Sequence, residues 1–209
     1  MIKTTKLNLD KYEKMYDSFD ASHDRNHFIL VRKMAVLLAK KYLPDKVEIV
    51  YIAATLHDIG ISISRENHES DGEKLIRQDL YLANNLSKED FEEICHAVRE
   101  HRASTGNPQT ILAKIISDAD RGGGSYSSSE ALTRAYDYGS AKFPELNEEE
   151  QILRSAKHQV EKFSKGSYGR RTYFPETEKR LGEIYDPIIK AYQKEDLKYL
   201  KSLIKSLVK

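Results

Sequence analysis

Apolar residues recur three and four positions apart along most of the chain, which is the spacing of helices that bury one face. In residues 27–43, HFILVRKMAVLLAKKYL, the apolar positions include Ile29, Leu30 and Met34. Residues 46–56, KVEIVYIAATL, are apolar on nearly all sides, as expected of a central, buried helix. The β-branched residues of this segment also suit a strand, but its length and its two adjacent alanines favour a helix.

Six further segments continue the helical pattern, and several carry start or stop signals. Ser87, followed three residues later by Asp90, is close to a capping box. Pro108 fits the first turn of a helix, whereas Pro187 is a candidate break inside the last and longest segment. The six segments are residues 69–86, 87–101, 108–120, 129–139, 147–163 and 176–207.

The pattern contains no internal repeat and no convincing series of strands, and its linker-like stretches are short. The simplest prediction is an all-α fold in a single domain over residues 1–209. We expect its core at about residues 20–125 and a helical extension, residues 126–209, packed on that core.

Composition and charge narrow the class of protein. The formal net charge of +1 gives no long-range field that selects nucleic acid or an anionic membrane. A single cysteine, Cys95, excludes a disulfide framework and a cysteine-rich zinc site. Residues 1–20 lack the apolar core of a signal peptide, and no apolar run approaches the length of a membrane span. We therefore expect a soluble, reduced, cytoplasmic protein that binds neither nucleic acid nor membrane.

Histidines and aspartates collect at the predicted helix ends, which can converge on one cavity of a helical bundle. The pair His57–Asp58 closes the buried helix, where the partial negative charge of the helix terminus favours a cation. Neutral imidazole and carboxylate together suit a divalent ion such as Mn, Fe, Zn, Co, Ni or Mg better than a thiolate-selected ion. The candidate residues are His27, His57, Asp58, His68, His101, Asp118 and Asp120.

Asp118 and Asp120 are two residues apart and so face nearly opposite sides of a helix. Asp120 continues the side of Ile116, which we take to be the more buried side, and is the favoured metal ligand. Asp118 is kept as a supporting residue or a reserve ligand. Asp24 has two readings: it orients a ligand histidine, or it caps the helix that begins near His27.

The order His27, His57–Asp58, Asp120 resembles the H…HD…D ligand signature of the HD superfamily of metal-dependent phosphohydrolases. The surrounding stretches SHDRNHFILV, AATLHDIG and KIISDADR are also similar to that family. The resemblance is specific over about residues 20–125 and weaker over residues 126–180. The nearest subgroup is one of small HD hydrolases with the order HDxxH…HD…H…H…DADR.

The resemblance implies a helical bundle of the HD type with additional C-terminal helices. It implies a first metal ion held by four residues, and His68 and His101 are similar to the two extra histidines of members that bind two metals. A second ion would use these two histidines, with Asp58 as the bridge. The four residues implied for the first ion are His27, His57, Asp58 and Asp120.

The chemistry implied is hydrolysis of a phosphate ester or phosphoanhydride by a metal-activated water. Asp58, Arg121 and Asp118 are the candidate catalytic residues. Arginines suit phosphate because the guanidinium donates paired hydrogen bonds. The candidate substrate-binding residues are Arg102 and Arg121, beside the proposed ligands, and Arg170 and Arg171 in the stretch KGSYGRR, which also fits a charged surface loop.

Several functions fit this interpretation. The first is an enzyme that acts on a nucleotide or another small phosphorylated metabolite, in which pyrophosphohydrolase or nucleotidase activity competes with cyclic-nucleotide phosphodiesterase activity. The second is a regulatory protein that binds metal and nucleotide without turnover. A third, an HD protein linked to nucleic acid, is disfavoured by the near-neutral charge. The oligomeric state is left open, a homodimer included.

Overall fold

The computed structural model describes residues 6–20, 22–123 and 127–205, and all regular elements in these ranges are helical. The predicted all-α class is therefore confirmed. The chain divides into two compact units, Met1–Gly123 and Gly124–Lys209, which are described one at a time. That both belong to a single domain, with the second packed on the first, stays a prediction. No helix in the described ranges is long and apolar enough to span a membrane.

The first unit is built around helices α2, α3 and α7, with α4 and α6 packed beside them. Its core contains fully buried Phe28, Ile52 and Ile116. The described helices are α1 (Asp10–Met15), α2 (Arg25–Tyr42), α3 (Val47–Leu56), α4 (His68–Arg77), α5 (Leu80–Asn85), α6 (Lys88–Arg99) and α7 (Ile111–Gly123).

Side-chain caps explain where several of these helices begin. The Ser87 hydroxyl accepts a hydrogen bond from the Asp90 backbone N–H at 3.1 Å, as the sequence predicts for the start of α6. The predicted helix over residues 69–86 is wrong in one respect, since it is two helices. Asp79 separates α4 from α5 because its side chain accepts hydrogen bonds from the backbone N–H groups of Tyr81 and Leu82.

The second unit contains α8 (Ser128–Lys142), α9 (Glu148–Phe163), α10 (Pro175–Gln193) and α11 (Leu197–Lys205). The candidate break at Pro187 is wrong, because α10 runs through it. Proline removes one helical hydrogen bond and need not end a helix whose face is well packed; here Ile184 and Ile188 are buried on either side. The chain breaks later, at Glu195, which adopts a positive φ of 54°.

Candidate metal centre

Six side chains from five helix ends converge inside the first unit. His27 lies in the first turn of α2, and the His57–Asp58 pair follows α3 directly. All of the six except Asp120 are buried. Besides His27, His57 and Asp58, the cluster contains His68 at the start of α4, His101 just beyond α6, and Asp120 in the last turn of α7. The expected convergence of helix ends is therefore what the structure shows.

The first group of donor atoms surrounds the Nε2 atoms of His27 and His57, which lie 3.4 Å apart. Asp58 Oδ2 lies 3.0 Å from His57 Nε2 and 3.5 Å from His27 Nε2. Asp120 completes the group, with Oδ1 at 3.2 Å from His27 Nε2. His27, His57 and Asp58 each offer an atom close enough to the others to share one metal ion.

The second group uses the other oxygen of the same aspartate. His68 Nε2 and His101 Nε2 lie 3.2 Å apart. Asp58 Oδ1 is 3.5 Å from the first of these nitrogens and 3.4 Å from the second. These three residues could also hold an ion. Asp58 therefore presents one carboxylate oxygen to each group, which is the arrangement of a bridging ligand.

Backbone carbonyls fix the ring orientation of three of the four histidines. Nδ1 of His57 lies 2.9 Å from the Ala54 carbonyl oxygen. The same contact, to the residue three positions earlier, occurs for His68 at 2.9 Å and His101 at 2.7 Å. A carbonyl oxygen only accepts, so Nδ1 carries the proton, and in the neutral ring Nε2 is left as a lone pair directed at the cluster. This is the tautomer that metal-ligating histidines need.

The donor set fits a divalent cation. Lone pairs on neighbouring Nε2 atoms repel each other when nothing positive lies between them. Among the described residues, the buried Oδ2 of Asp58 has no hydrogen-bond partner, and a buried carboxylate oxygen without a partner is costly. A bound metal ion would relieve the repulsion between the Nε2 lone pairs and would also give the Asp58 oxygen a partner. The imidazole and carboxylate donors suit Mn, Fe, Co, Ni or Zn, with Mg as the harder alternative.

The aspartates and histidines of the cluster shift each other's pKa values. Burial by itself lowers the pKa of His27, but the carboxylates of Asp120 and Asp58 outweigh burial and raise that pKa to about 9. Burial by itself raises the pKa of Asp58, but the surrounding histidines, His57 first, hold it well below its usual range. Burial and the neighbouring His101 lower the pKa of His68. Without an ion, a proton on His27 therefore balances carboxylate charge.

We predict that metal binding expels this proton. The pKa of His27 is raised from 6.5 to about 9, so the proton's contribution to the stability of the metal-free protein is fully present below pH 6.5 and is lost as the pH rises towards 9. Since the ion and the proton compete for Nε2, the apparent metal affinity rises with pH up to the same value. Titration calorimetry in buffers of different ionisation enthalpy, repeated from pH 6 to 9, should show proton release; an affinity independent of pH contradicts the assignment.

Tyr16 supports the chain at the His57–Asp58 pair, and nothing in the local sequence pattern indicates this role. Its hydroxyl donates to the Thr55 carbonyl oxygen at 3.1 Å and accepts from the Asp58 backbone N–H at 3.2 Å. The ring stacks on Phe28, with centroids 4.6 Å apart. Tyr16 therefore satisfies two backbone groups where α3 ends and the chain turns, and so fixes the direction of the Asp58 side chain.

Asp118 and Arg121 form a buried network behind the cluster. Arg121 Nη1 lies 3.2 Å from Asp118 Oδ1, and Nη2 donates to the Ser117 hydroxyl at 2.5 Å. That hydroxyl donates to the His101 carbonyl oxygen at 2.8 Å. The prediction that Asp120 lies on the more buried side is wrong, because Asp118 is fully buried whereas the Asp120 side chain is 25% exposed. It is nevertheless Asp120 that contacts His27.

The other sequence candidates occupy defined places. Asp24 caps α2, since its side chain accepts a hydrogen bond from the His27 backbone N–H at 2.9 Å. Arg102, next to His101, donates to the Glu66 carbonyl oxygen at 2.5 Å and lies 3.4 Å from the Glu69 carboxylate. It thereby ties the start of α4 to the end of α6, and its role towards a substrate stays a prediction.

Arg170 and Arg171 belong to the second unit. The Arg170 guanidinium is buried, lies 2.8 Å from Glu178 Oε1 and 2.7 Å from Asp186 Oδ1, and so joins the loop after α9 to α10. Arg171 beside it is exposed. The contacts of Arg170 are those of a structural ion pair, and the predicted role of both residues in phosphate binding stays a prediction.

Fold and site together define an all-α protein whose helix ends form a buried histidine and aspartate centre suited to a divalent metal. The family model of the HD domain matches residues 25–121. This match confirms the resemblance over residues 25–121, a stretch that contains all six residues of the cluster. The HD superfamily is one of metal-dependent phosphohydrolases. No curated protein and no solved structure gave a significant match to the chain.

Proposed function

We propose that the protein is a metal-dependent phosphohydrolase that acts on a nucleotide or another small phosphorylated metabolite and uses two ions. The observation that carries the proposal is the position of Asp58 between two histidine pairs, with one carboxylate oxygen towards each. A site for a single structural ion needs one closed set of ligands, whereas two adjoining sets that share a carboxylate are typical of hydrolytic two-metal centres.

The residues of the chain divide the work as follows. His27, His57 and Asp120 would hold the first ion, His68 and His101 would hold the second, and Asp58 would contribute one oxygen to each. Bound ions supply Lewis-acid polarisation of the phosphoryl group and activation of a water molecule. The backbone bonds to three Nδ1 atoms keep the Nε2 donors aligned, so little reorganisation is needed when ions and substrate bind.

The substrate class follows from charge. The ligand set contributes only two carboxylates, Asp58 and Asp120, against the four charges of two divalent ions. The loaded centre therefore keeps net positive charge, which favours a phosphate group. Arg102, whose side chain is about one-third exposed beside His101, is our candidate for an additional phosphate contact. A cyclic-nucleotide phosphodiesterase or a regulatory binder without turnover uses the same centre and is distinguished by assay.

The proposal is tested by metal analysis of the purified protein, followed by a phosphate-release screen. The screen offers Mn²⁺, Mg²⁺ and Co²⁺ with nucleoside mono-, di- and triphosphates, sugar phosphates and cyclic nucleotides. We expect turnover that a chelator abolishes and that His57→Ala lacks. His96→Ala is the matched control, because His96 lies outside the cluster and accepts a hydrogen bond from the Gln109 backbone N–H. Metal and nucleotide binding without any turnover supports the regulatory alternative instead.

A separate prediction concerns the number of metal ions that each chain binds. His68→Ala removes a ligand from the second group only, so this variant should bind one ion per chain where the unaltered protein binds two. Activity should fall by at least about a hundredfold, because half of the Lewis-acid polarisation that two ions would supply is lost with the second donor group. Elemental analysis after gel filtration measures the stoichiometry. An unaltered protein that saturates at one ion argues for a single-metal enzyme.

A further inference from the structure

Ser117, in α7, links this helix to one histidine of the cluster. Its side chain is fully buried, and its hydroxyl donates a hydrogen bond to the His101 carbonyl oxygen at 2.8 Å. His101 lies beyond Arg99, the last residue of α6, whereas His27 and His68 stand in the first turn of their helices. The backbone that carries the His101 ring is therefore held by a side chain of a different helix.

Arg121 determines the direction of the Ser117 hydroxyl. The Arg121 Nη2 atom lies 2.5 Å from the hydroxyl oxygen. A guanidinium only donates and a carbonyl only accepts, so the hydroxyl accepts from Arg121 and gives its proton to His101. Arg121 is held in turn by Asp118, whose Oδ1 lies 3.2 Å from Nη1. All three side chains are buried and lie close together on α7, which shields their hydrogen bonds from water and strengthens them.

The His101 ring is restrained from a second direction. Its Nδ1 lies 2.7 Å from the Val98 carbonyl oxygen, and its Nε2 lies 3.4 Å from Asp58 Oδ1. The Val98 contact orients the ring relative to α6, and the Ser117 hydrogen bond fixes the backbone from which the ring extends. Together the two contacts leave Nε2 little freedom to move away from Asp58.

The same helix α7 also contributes to the other donor group. Asp120 lies on it, with Oδ1 at 3.2 Å from His27 Nε2. The helix therefore contacts the first group directly and the second group through Ser117. We propose that Ser117, oriented by Arg121, is a positioning residue for the second ion, because it ties His101 to α7 and so sets its distance from the first group. This inference rests on the two-ion centre of the function proposed above, and it gives Arg121 a role in metal binding.

Titration of the metal-free protein with Co²⁺, followed by the visible absorption of the bound ion, measures the two positions separately. We expect two binding events in the unaltered protein, and the event that His68→Ala abolishes belongs to the second donor group. Ser117→Ala should weaken that event by about 10- to 100-fold, the usual effect of losing a partner of a metal ligand, and the other event by less than about threefold. In the His68→Ala background, Ser117→Ala should not change the remaining event.

The matched control is Ser155→Ala. Ser155 is also a fully buried serine within a helix, but it belongs to the second unit. Its hydroxyl donates to the Gln151 carbonyl oxygen at 2.7 Å and lies 3.5 Å from Arg154 Nη2. This variant should leave both Co²⁺ events unchanged. Arg121→Lys keeps one donor for the hydroxyl, so it should weaken the same event as Ser117→Ala, but by less.

The outcomes separate positioning from other roles. A selective loss that excess Co²⁺ reverses, with phosphate release restored, supports positioning, because loss of a residue that acts in the chemical step keeps the rate low at saturating metal. Equal weakening of both events assigns Ser117 to general stability, and an unchanged second group removes it from the centre; either result overturns the proposal. A single event in the unaltered protein overturns the two-ion centre and this inference with it. Selective loss in a protein that hydrolyses no phosphate upholds this inference while the phosphohydrolase function fails.

Discussion

Replacing Asp58 with alanine is expected to empty both ion positions at once and to lower kcat/KM by at least about a thousandfold, which corresponds to about 4 kcal/mol of transition-state stabilisation. The reason is geometric. Oδ2 of Asp58 lies against the His27 and His57 pair, and Oδ1 lies against the His68 and His101 pair. The other carboxylate of the cluster, Asp120, lies against His27 of the first group.

The matched control is Asp71→Ala. Asp71 is also a buried aspartate, but its carboxylate pairs with Lys74, 2.9 Å away, and belongs to neither donor group. This variant should keep both ions and most of its activity. Circular dichroism should show that Asp58→Ala remains helical, since its loss removes a ligand and leaves the core intact. Retention of two ions by Asp58→Ala means that the carboxylate is not the bridge, and retention of one means that only one group depends on it.

Asp58→Asn removes the negative charge of the side chain but keeps its size and shape nearly unchanged. The amide keeps one oxygen of the carboxylate and replaces the other with an NH₂ group, which cannot bind a cation. We expect one ion to be retained weakly and the other to be lost. The amide also removes the negative charge that raises the pKa of His27, so in the metal-free variant the pH window in which His27 loses its proton should move downwards from about 9.

The periodicity of the chain was enough to predict most helices because each one buries a face in its own unit. Long helices such as α2 and α9 repeat the pattern many times, and their ends carry caps that are local in sequence. The periodicity does not predict α1, and it suggests a break at Pro187 that α10 does not have. α1 has six residues and only one, Tyr12, buried, so its periodic signal is short. α10 stays helical through Pro187 because Ile184 and Ile188 on either side of it are buried by residues that are distant in the sequence.

The six residues of the cluster could be predicted from the sequence because every one of them lies at or next to a helix end. Their supporting contacts were not, since these join residues far apart in the chain. Tyr16 is 39 residues from the carbonyl group that it contacts, and Arg102 is 36 residues from Glu66. No local pattern encodes such pairings. The choice between Asp118 and Asp120 shows the same limit, because the more buried aspartate is not the one in the cluster. Asp118 is buried in an ion pair with Arg121, whereas Asp120 contacts His27.

Gly60 is the position where the largest loss of stability from a single methyl group is expected. It lies in the short turn Ile59–Ser62 that directly follows His57 and Asp58. A Cβ atom there would lie 2.0 Å from the His68 carbonyl oxygen and 2.4 Å from the Gly72 backbone nitrogen. Both contacts are to backbone, so relief requires α4 to move away. Gly60 thus lets the chain after Asp58 pack directly against the helix that carries His68.

We expect Gly60→Ala to lower the free energy of unfolding by about 3 kcal/mol or more, at the upper end of the cost of overpacking. Because α4 moves as a unit, His68 should shift away from Asp58, and the second ion should be lost before the first. Gly72→Ala is the matched control on the facing helix. Its Cβ would lie 3.0 Å from the Val98 side chain and at an ordinary contact distance of 3.5 Å from the Gly60 backbone nitrogen. Alanine also gains helix propensity, so the stability of this variant should stay within about 1 kcal/mol of the unaltered protein. Urea unfolding of the metal-free proteins measures both changes, and equal effects of the two substitutions would mean that α4 yields at Gly60 without cost.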